Sequence, residues 1–164
     1  ILAIKVSFKS FEPDMFPSPT ISPYFSVGDR RTQVNCIVDS GADFCTIPIS
    51  IGRDLGINFN KIAPNELRNK WKAMNRTDIK KTNALIKEVI DKKLVIPDSY
   101  QCACGKSTEA CFYPATIEIG TEFKKEILVL WTPMNVIPLL GRACLFDSIK
   151  EISFKRGKNT VFKF

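Results

Sequence analysis

The chain has 164 residues, 45% hydrophobic and 25% charged, enough for one domain with a sizeable core and ordinary for a globular protein. It contains no histidine, which excludes Ser-His-Asp and Cys-His catalysis and every histidine metal site. The net charge of +7 is uneven: residues 65–93 hold nine Lys/Arg against four Asp/Glu, a local balance of +5.

The sequence starts at Ile1 without a basic-then-apolar leader, as expected of a fragment or a processed product. Ile4–Phe8 alternates as a first strand, and Pro13–Pro23 is loop or extended, because each proline removes a donor and disfavours helix before it. Tyr24–Val27 and Val34–Val38 read as strands joined by a hairpin turn at Gly28-Asp29-Arg30-Arg31. A loop follows at Asp39, Thr46-Ile47 resumes an extended run, and Pro48 opens a short helix through Leu55 that Gly56 stops.

The middle differs in kind. Pro64 begins a helix with Leu67, Trp71 and Met74 on its apolar face. Thr77-Asp78 offers a cap for a second helix, whose inner face carries Ile79, Ile86, Val89 and Ile90. The cation surplus lies here and reads as a solvated helical surface. A patch for acidic partners or nucleic acid is the sharper alternative, but the lysines lack the interleaved aromatics of a nucleic-acid platform, so nucleic acid is not an expected partner.

From Tyr100 a period-two pattern returns. Gln101–Cys104 and Glu109–Ile119 flank a turn at Gly105-Lys106-Ser107, and Gly120-Thr121 leads into Ile127–Trp131. Val136–Leu140, Gly141, a short helix Ala143–Asp147 and two strands, Glu151–Phe154 and Thr160–Phe164, complete the chain. No apolar run reaches the ~20 residues that span a bilayer.

The six cysteines are Cys36, Cys45, Cys102, Cys104, Cys111 and Cys144. Cys36 and Cys144 look like small buried hydrophobes. Cys102, Cys104 and Cys111 make three quarters of a metal site but lack paired Cys-x₂-Cys spacing, so no metal or other cofactor is expected. Reduced thiols in a cytosolic-type compartment are the expected state.

"VNCIVDSGADFCTIP", residues 34–48, places a carboxylate directly after an apolar run. Glycine lets the backbone turn sharply and a serine hydroxyl can bridge the turn, so Asp39 is left at the tip in one orientation. About a hundred residues later "VIPLLGRACLF" ends an apolar run in Gly141-Arg142, a segment able to pack beneath such a loop.

Together, and in this order, these segments resemble the retropepsin-like aspartic proteases, over roughly residues 21–56 and 95–164. The resemblance implies a mostly β fold, a retropepsin-like closed β-barrel (the acid protease fold) with a short C-terminal helix. The chain is then one domain, 1–164, with a helical insertion around 64–93 (the whole insert spanning 60–93) between catalytic loop and flap hairpin. Asp39 would be the catalytic aspartate, followed by Ser40, Gly41 and Ala42 of the active-site loop. Ser40 would tie two such loops together, Gly41 would offer its carbonyl to substrate, and Asp43 would contact substrate main chain while pairing with Arg142. Cys104, Gly105 and Lys106 would lie at the flap. The insert is longer and more helical than in compact retroviral members, and the flap turn has fewer glycines; the insert is expected to act as a lid or to enlarge a dimer interface.

Only one Asp-Ser-Gly occurs in the chain, whereas the family's chemistry needs two facing carboxylates. The resemblance therefore implies a homodimer with Asp39 contributed by each chain, acting on an extended peptide or polypeptide. The C-terminal strand, with the N-terminal one, is expected at that interface, since Val161, Phe162 and Phe164 on a free edge would invite aggregation. Two other readings remain: a retropepsin fold serving as a binding or dimerisation module with little or no peptidase activity, and a small β domain in which Asp39 only caps a turn.

Overall fold

Strands dominate the computed structural model, which describes residues 3–7, 18–75, 79–101, 105–145, 149–155 and 159–163. In chain order they are β1 (Ala3–Ser7), β2 (Thr20–Ile21), β3 (Tyr24–Val27), β4 (Arg30–Gln33), β5 (Cys36–Val38) and β6 (Cys45–Pro48). Three helices follow, α1 (Ile49–Asp54), α2 (Asn65–Lys72) and α3 (Ile79–Lys92), then β7 (Ile96–Gln101), β8 (Ser107–Ile119), β9 (Phe123–Thr132) and β10 (Leu139–Leu140). The chain continues through α4 (Arg142–Leu145), β11 (Glu151–Lys155) and β12 (Asn159–Lys163). Among the described residues no helix is long and apolar enough to cross a membrane.

The larger sheet runs β2-β5-β10-β6-β9-β8-β3-β4 and curls into a half-barrel, with β7 added on β8. Among the described residues β2 and β4 end this path, so the pairing draws an open curl rather than the closed barrel expected from the sequence. Long β8 organises it. One side pairs with β9 from Cys111 to Ile119, while the other takes β7 along Ser107–Phe112 and β3 along Thr116–Glu118. Pro114 falls between those two stretches, where no strand flanks that side. Phe25, Cys36, Ile47, Phe112, Ile117, Trp131 and Leu140 are all essentially buried in the core.

Several expectations move. The hairpin partner of β3 is β4, which starts at Arg30 inside the expected turn, and of the strand expected at Val34–Val38 only Cys36–Val38 forms β5, pairing with β2 and β10. β4 (Arg-Arg-Thr-Gln) escapes an apolar-pattern reading because it is an edge strand with little to bury. Pro97 lies inside β7, which pairs only with β8, so a missing N–H is tolerated on its free side. Of the expected run Val136–Leu140, only Leu139 and Leu140 form strand. The C-terminal strand is no free edge. β12 lies in the middle of a second sheet, β1-β12-β11, antiparallel on both sides, with Phe162 fully buried. The free edges are β1 and β11. The Thr77-Asp78 cap, Cys102, Cys104, Asp147, Phe164 and the side chain of Cys144 lie outside the described residues.

The helices meet the sequence expectation closely. α1 follows Pro48 and gives way at Leu55 and Gly56, whose φ of +80° suits glycine. α2 buries Leu67 and Trp71, and α3 buries Val89, with Ile86 and Ile90 packed at the core margin. The solvent face of the insert carries intrahelical pairs Lys70–Glu66 and Lys92–Glu88, as a solvated surface does. The insert is tied at its neck: Ala63 N–H donates to Val95 O at 2.8 Å, and Val95 N–H to Lys61 O at 3.0 Å.

Two predictions come from this packing. A Cβ on Gly141 would overlap the Phe44 carbonyl and lie 2.8 Å from the Ala42 carbonyl oxygen, both main chain. Gly141→Ala should therefore destabilise the fold by about 1–3 kcal/mol in denaturant unfolding, or more if the loop cannot shift. Burial also raises the Cys36 thiol and pushes that of Cys111 up to about 11, against an ordinary 9.0. The unfolded chain then ionises first, so the stability tied to these thiols is full below pH 9.0 and declines as pH rises toward 11. Unfolding midpoints should fall through that range, and less steeply in Cys36→Ala.

Candidate active site

β10 lies between β5 and β6, parallel to the first (Leu140 beside Val38) and antiparallel to the second (Leu139 beside Thr46). The segment 39–44 therefore leaves one side of β10 and returns on the other. Asp39 N–H donates to Leu140 O at 3.1 Å. On the return side Arg142 N–H donates to Ala42 O at 2.9 Å, and Ala143 N–H to Asp43 O at 2.8 Å. The absent side chain of Gly141 permits this approach.

Within the loop, Gly41 N–H donates to Asp39 Oδ1 at 2.8 Å, and Ala42 N–H to Asp39 O at 3.3 Å. The aspartate thus bonds its own turn and keeps one orientation. It is half-buried, whereas Ser40 and Gly41 are exposed. Arg142 Nη2 donates to Asp43 Oδ1, making the ion pair expected from the sequence. Both side chains are more than half exposed, so the pair is worth about 0–1 kcal/mol and serves orientation more than stability.

A cleft of about 620 Å³ opens above this loop. Its floor is Asp39, Gly41, Ala42, Asp43 and Leu139, and its far wall is Asp98–Gln101 of β7. The β7–β8 hairpin thus stands over the aspartate, in register from Ile96–Phe112 to Gln101–Ser107. Gly105 has φ +81° in the connection, with no atom within 4 Å of a notional Cβ, and Lys106 is exposed. Neither lines the cleft, and Cys104 is outside the described residues. Arg142 reaches the cleft only through Asp43; Ser40 does not line it.

Sequence reasoning missed Asp98, Ser99, Tyr100 and Gln101 as cleft residues, because the alternating pattern shows only from Tyr100 whereas β7 already starts at Ile96. It also took Trp71 as packing alone. Trp71 is buried, yet its indole Nε1–H donates to Asp98 Oδ2 at 2.7 Å. The available signal was the indole itself, since a buried tryptophan N–H requires an acceptor.

No protein-family profile and no curated protein matches the sequence. In three dimensions the chain is similar to the crystal structure of a retropepsin-like aspartic protease from Rickettsia conorii, with a TM-score of 0.52 and 13% identity. The match covers 98% of this chain and 91% of that one. At this identity the likeness is one of fold: a mostly β chain whose curled sheet resembles that of a retropepsin-like protease.

Proposed function

We propose that the chain is one half of an aspartic endopeptidase, a homodimer that hydrolyses peptide bonds in an extended substrate. The observation that carries this reading is the Asp39 turn, bonded to β10 and facing a cleft under a β-hairpin. The fold likeness to a retropepsin-like aspartic protease supports it.

A lone carboxylate does not complete the reaction, so a two-fold axis brings Asp39 of a second copy opposite the first. Two carboxylates in contact cannot both ionise easily and hold one proton between them. The ionised member takes a proton from a bound water, and the resulting hydroxide attacks the scissile carbonyl carbon. The protonated member gives its proton to the carbonyl oxygen, leaving a neutral tetrahedral diol. That intermediate collapses as one aspartate gives its proton to the amine nitrogen and the other takes a proton from a diol hydroxyl, so the C–N bond breaks, acid and amine leave, and the dyad again holds one proton. Gly41 and Asp43 hold the substrate main chain, Arg142 keeps Asp43 aimed, and the β7–β8 hairpin acts as the flap with Gly105 near its tip.

Cleavage of an apolar peptide library across acidic to neutral pH tests the activity. Asp39→Asn should abolish it, and undiminished turnover in that variant would remove the reading. Mixing tests the sharing of the site: in an equilibrated equal mixture with Asp39→Asn, about a quarter of dimers keep both aspartates, so activity should fall to about a quarter. A fall to half would mean that each chain works alone. Sedimentation at micromolar concentration should give twice the monomer mass, and a persistent monomer would leave the dyad unformed.

A further inference from the structure

Trp71 links the insert to the wall of the cleft. Trp71 of α2 is 4% exposed and packs against Phe112 of β8, ring centroids 4.9 Å apart. Phe112 in turn meets Phe44 edge-on at 4.7 Å, and Phe44 directly follows Asp43 in the active-site loop. From the same ring system the Trp71 indole N–H reaches Asp98 Oδ2 at 2.7 Å, while Asp98 Oδ1 accepts the Ser99 N–H at 2.7 Å. One side chain therefore touches both arms of the hairpin: β7 through a hydrogen bond to a cleft-lining carboxylate, and β8 through ring packing.

These contacts divide the hairpin. The pairs Ile96–Phe112 to Asp98–Ala110 stand on Trp71, with Ile96 and Phe112 buried. The pairs Ser99–Glu109 to Gln101–Ser107 lie beyond it, where Ser99, Gln101, Ser107 and Glu109 are all exposed. β7 is an edge strand with ladder bonds on one side only; the neck bonds of Val95 and the burial of Ile96 hold its first residues, and Trp71 extends that hold to Asp98.

From this we infer that Trp71 is a positioning residue for the proposed peptidase: it holds the lower hairpin at a set height over the active-site loop, so only the outer pairs move to admit a peptide. This rests on the cleft being the peptide site. On this account the insert is a buttress from below and not a lid from above. A hairpin held at its base presents its main chain to an extended peptide in nearly the bound geometry, and the cost of ordering it falls on few residues.

Trp71→Phe keeps the ring and removes the donor; Asp98→Asn keeps an acceptor, and Asp98→Ala does not. Hydrogen exchange of the full chain is the first readout. In Trp71→Phe and Asp98→Ala the amides of Ile96, Asp98 and 110–112 should exchange about tenfold faster, with β9 unchanged, while Asp98→Asn should largely keep wild-type protection. In peptide cleavage, Trp71→Phe should raise KM about tenfold while kcat changes less than about twofold. Unchanged hairpin exchange in Trp71→Phe, equal acceleration throughout β9, or no rescue by Asp98→Asn would overturn the inference. So would a KM equal to that of the wild type. A chain that cleaves nothing yet shows the expected exchange pattern would remove the peptidase reading and leave the buttress standing.

Discussion

Everything at the site depends on how closely β10 approaches the turn of residues 39–44. The contact is backbone on backbone: Leu140 receives the Asp39 N–H, and Arg142 and Ala143 give their N–H groups to Ala42 and Asp43. Gly141 lies between these bonds, where any side chain would strike two carbonyls. Main-chain bonds between neutral groups are little affected by salt, unlike the exposed Asp43–Arg142 pair, which is screened. The position of Asp39 is thus set by the grip of the backbone, and the charged pair adjusts its surroundings.

Around that grip the molecule puts rigidity on one side and freedom on the other. β5, β10 and β6 are short, yet each is flanked on both sides within the sheet, and Val38, Leu140 and Ile47 are buried. The opposite wall of the cleft belongs to the outermost strand of the hairpin. The aromatic run Phe44–Phe112–Trp71 joins the two walls beneath the cleft, so the floor and the base of the hairpin share one packed layer. Closely packed rings transmit a displacement instead of absorbing it.

The parts of this arrangement that were legible in the sequence are those whose chemistry is local. Asp39-Ser40-Gly41 specifies a turn through a side chain bonding its own backbone, and Leu139-Leu140-Gly141 announces a buried strand with a close approach at its end. Helices α1, α2 and α3 were readable from prolines, a glycine and apolar spacing. What escaped is what depends on neighbours. β4 is polar because it is an edge, and β7 tolerates Pro97 for the same reason. β12 has the same letters whether it stands at a rim or at the centre; only the placement of β1 and β11 on either side decides, and no local pattern records that. The link from Trp71 to Asp98 spans 27 residues and two element types, beyond the reach of any periodicity.

The neck of the insert has a consequence for how such a chain changes over time. Ile62 and Val95 bridge in parallel, with Ala63 and Lys61 bonded to Val95 on either side. The thirty-odd residues between them therefore leave and rejoin the sheet at almost one point. A segment closed at its root can lengthen, shorten or be exchanged at an entropic cost that grows only slowly with its length. The strands on either side need not shift register to accommodate it. Any replacement must still cover the core that Leu67 and Val89 now close, and must deliver something to stand under Asp98.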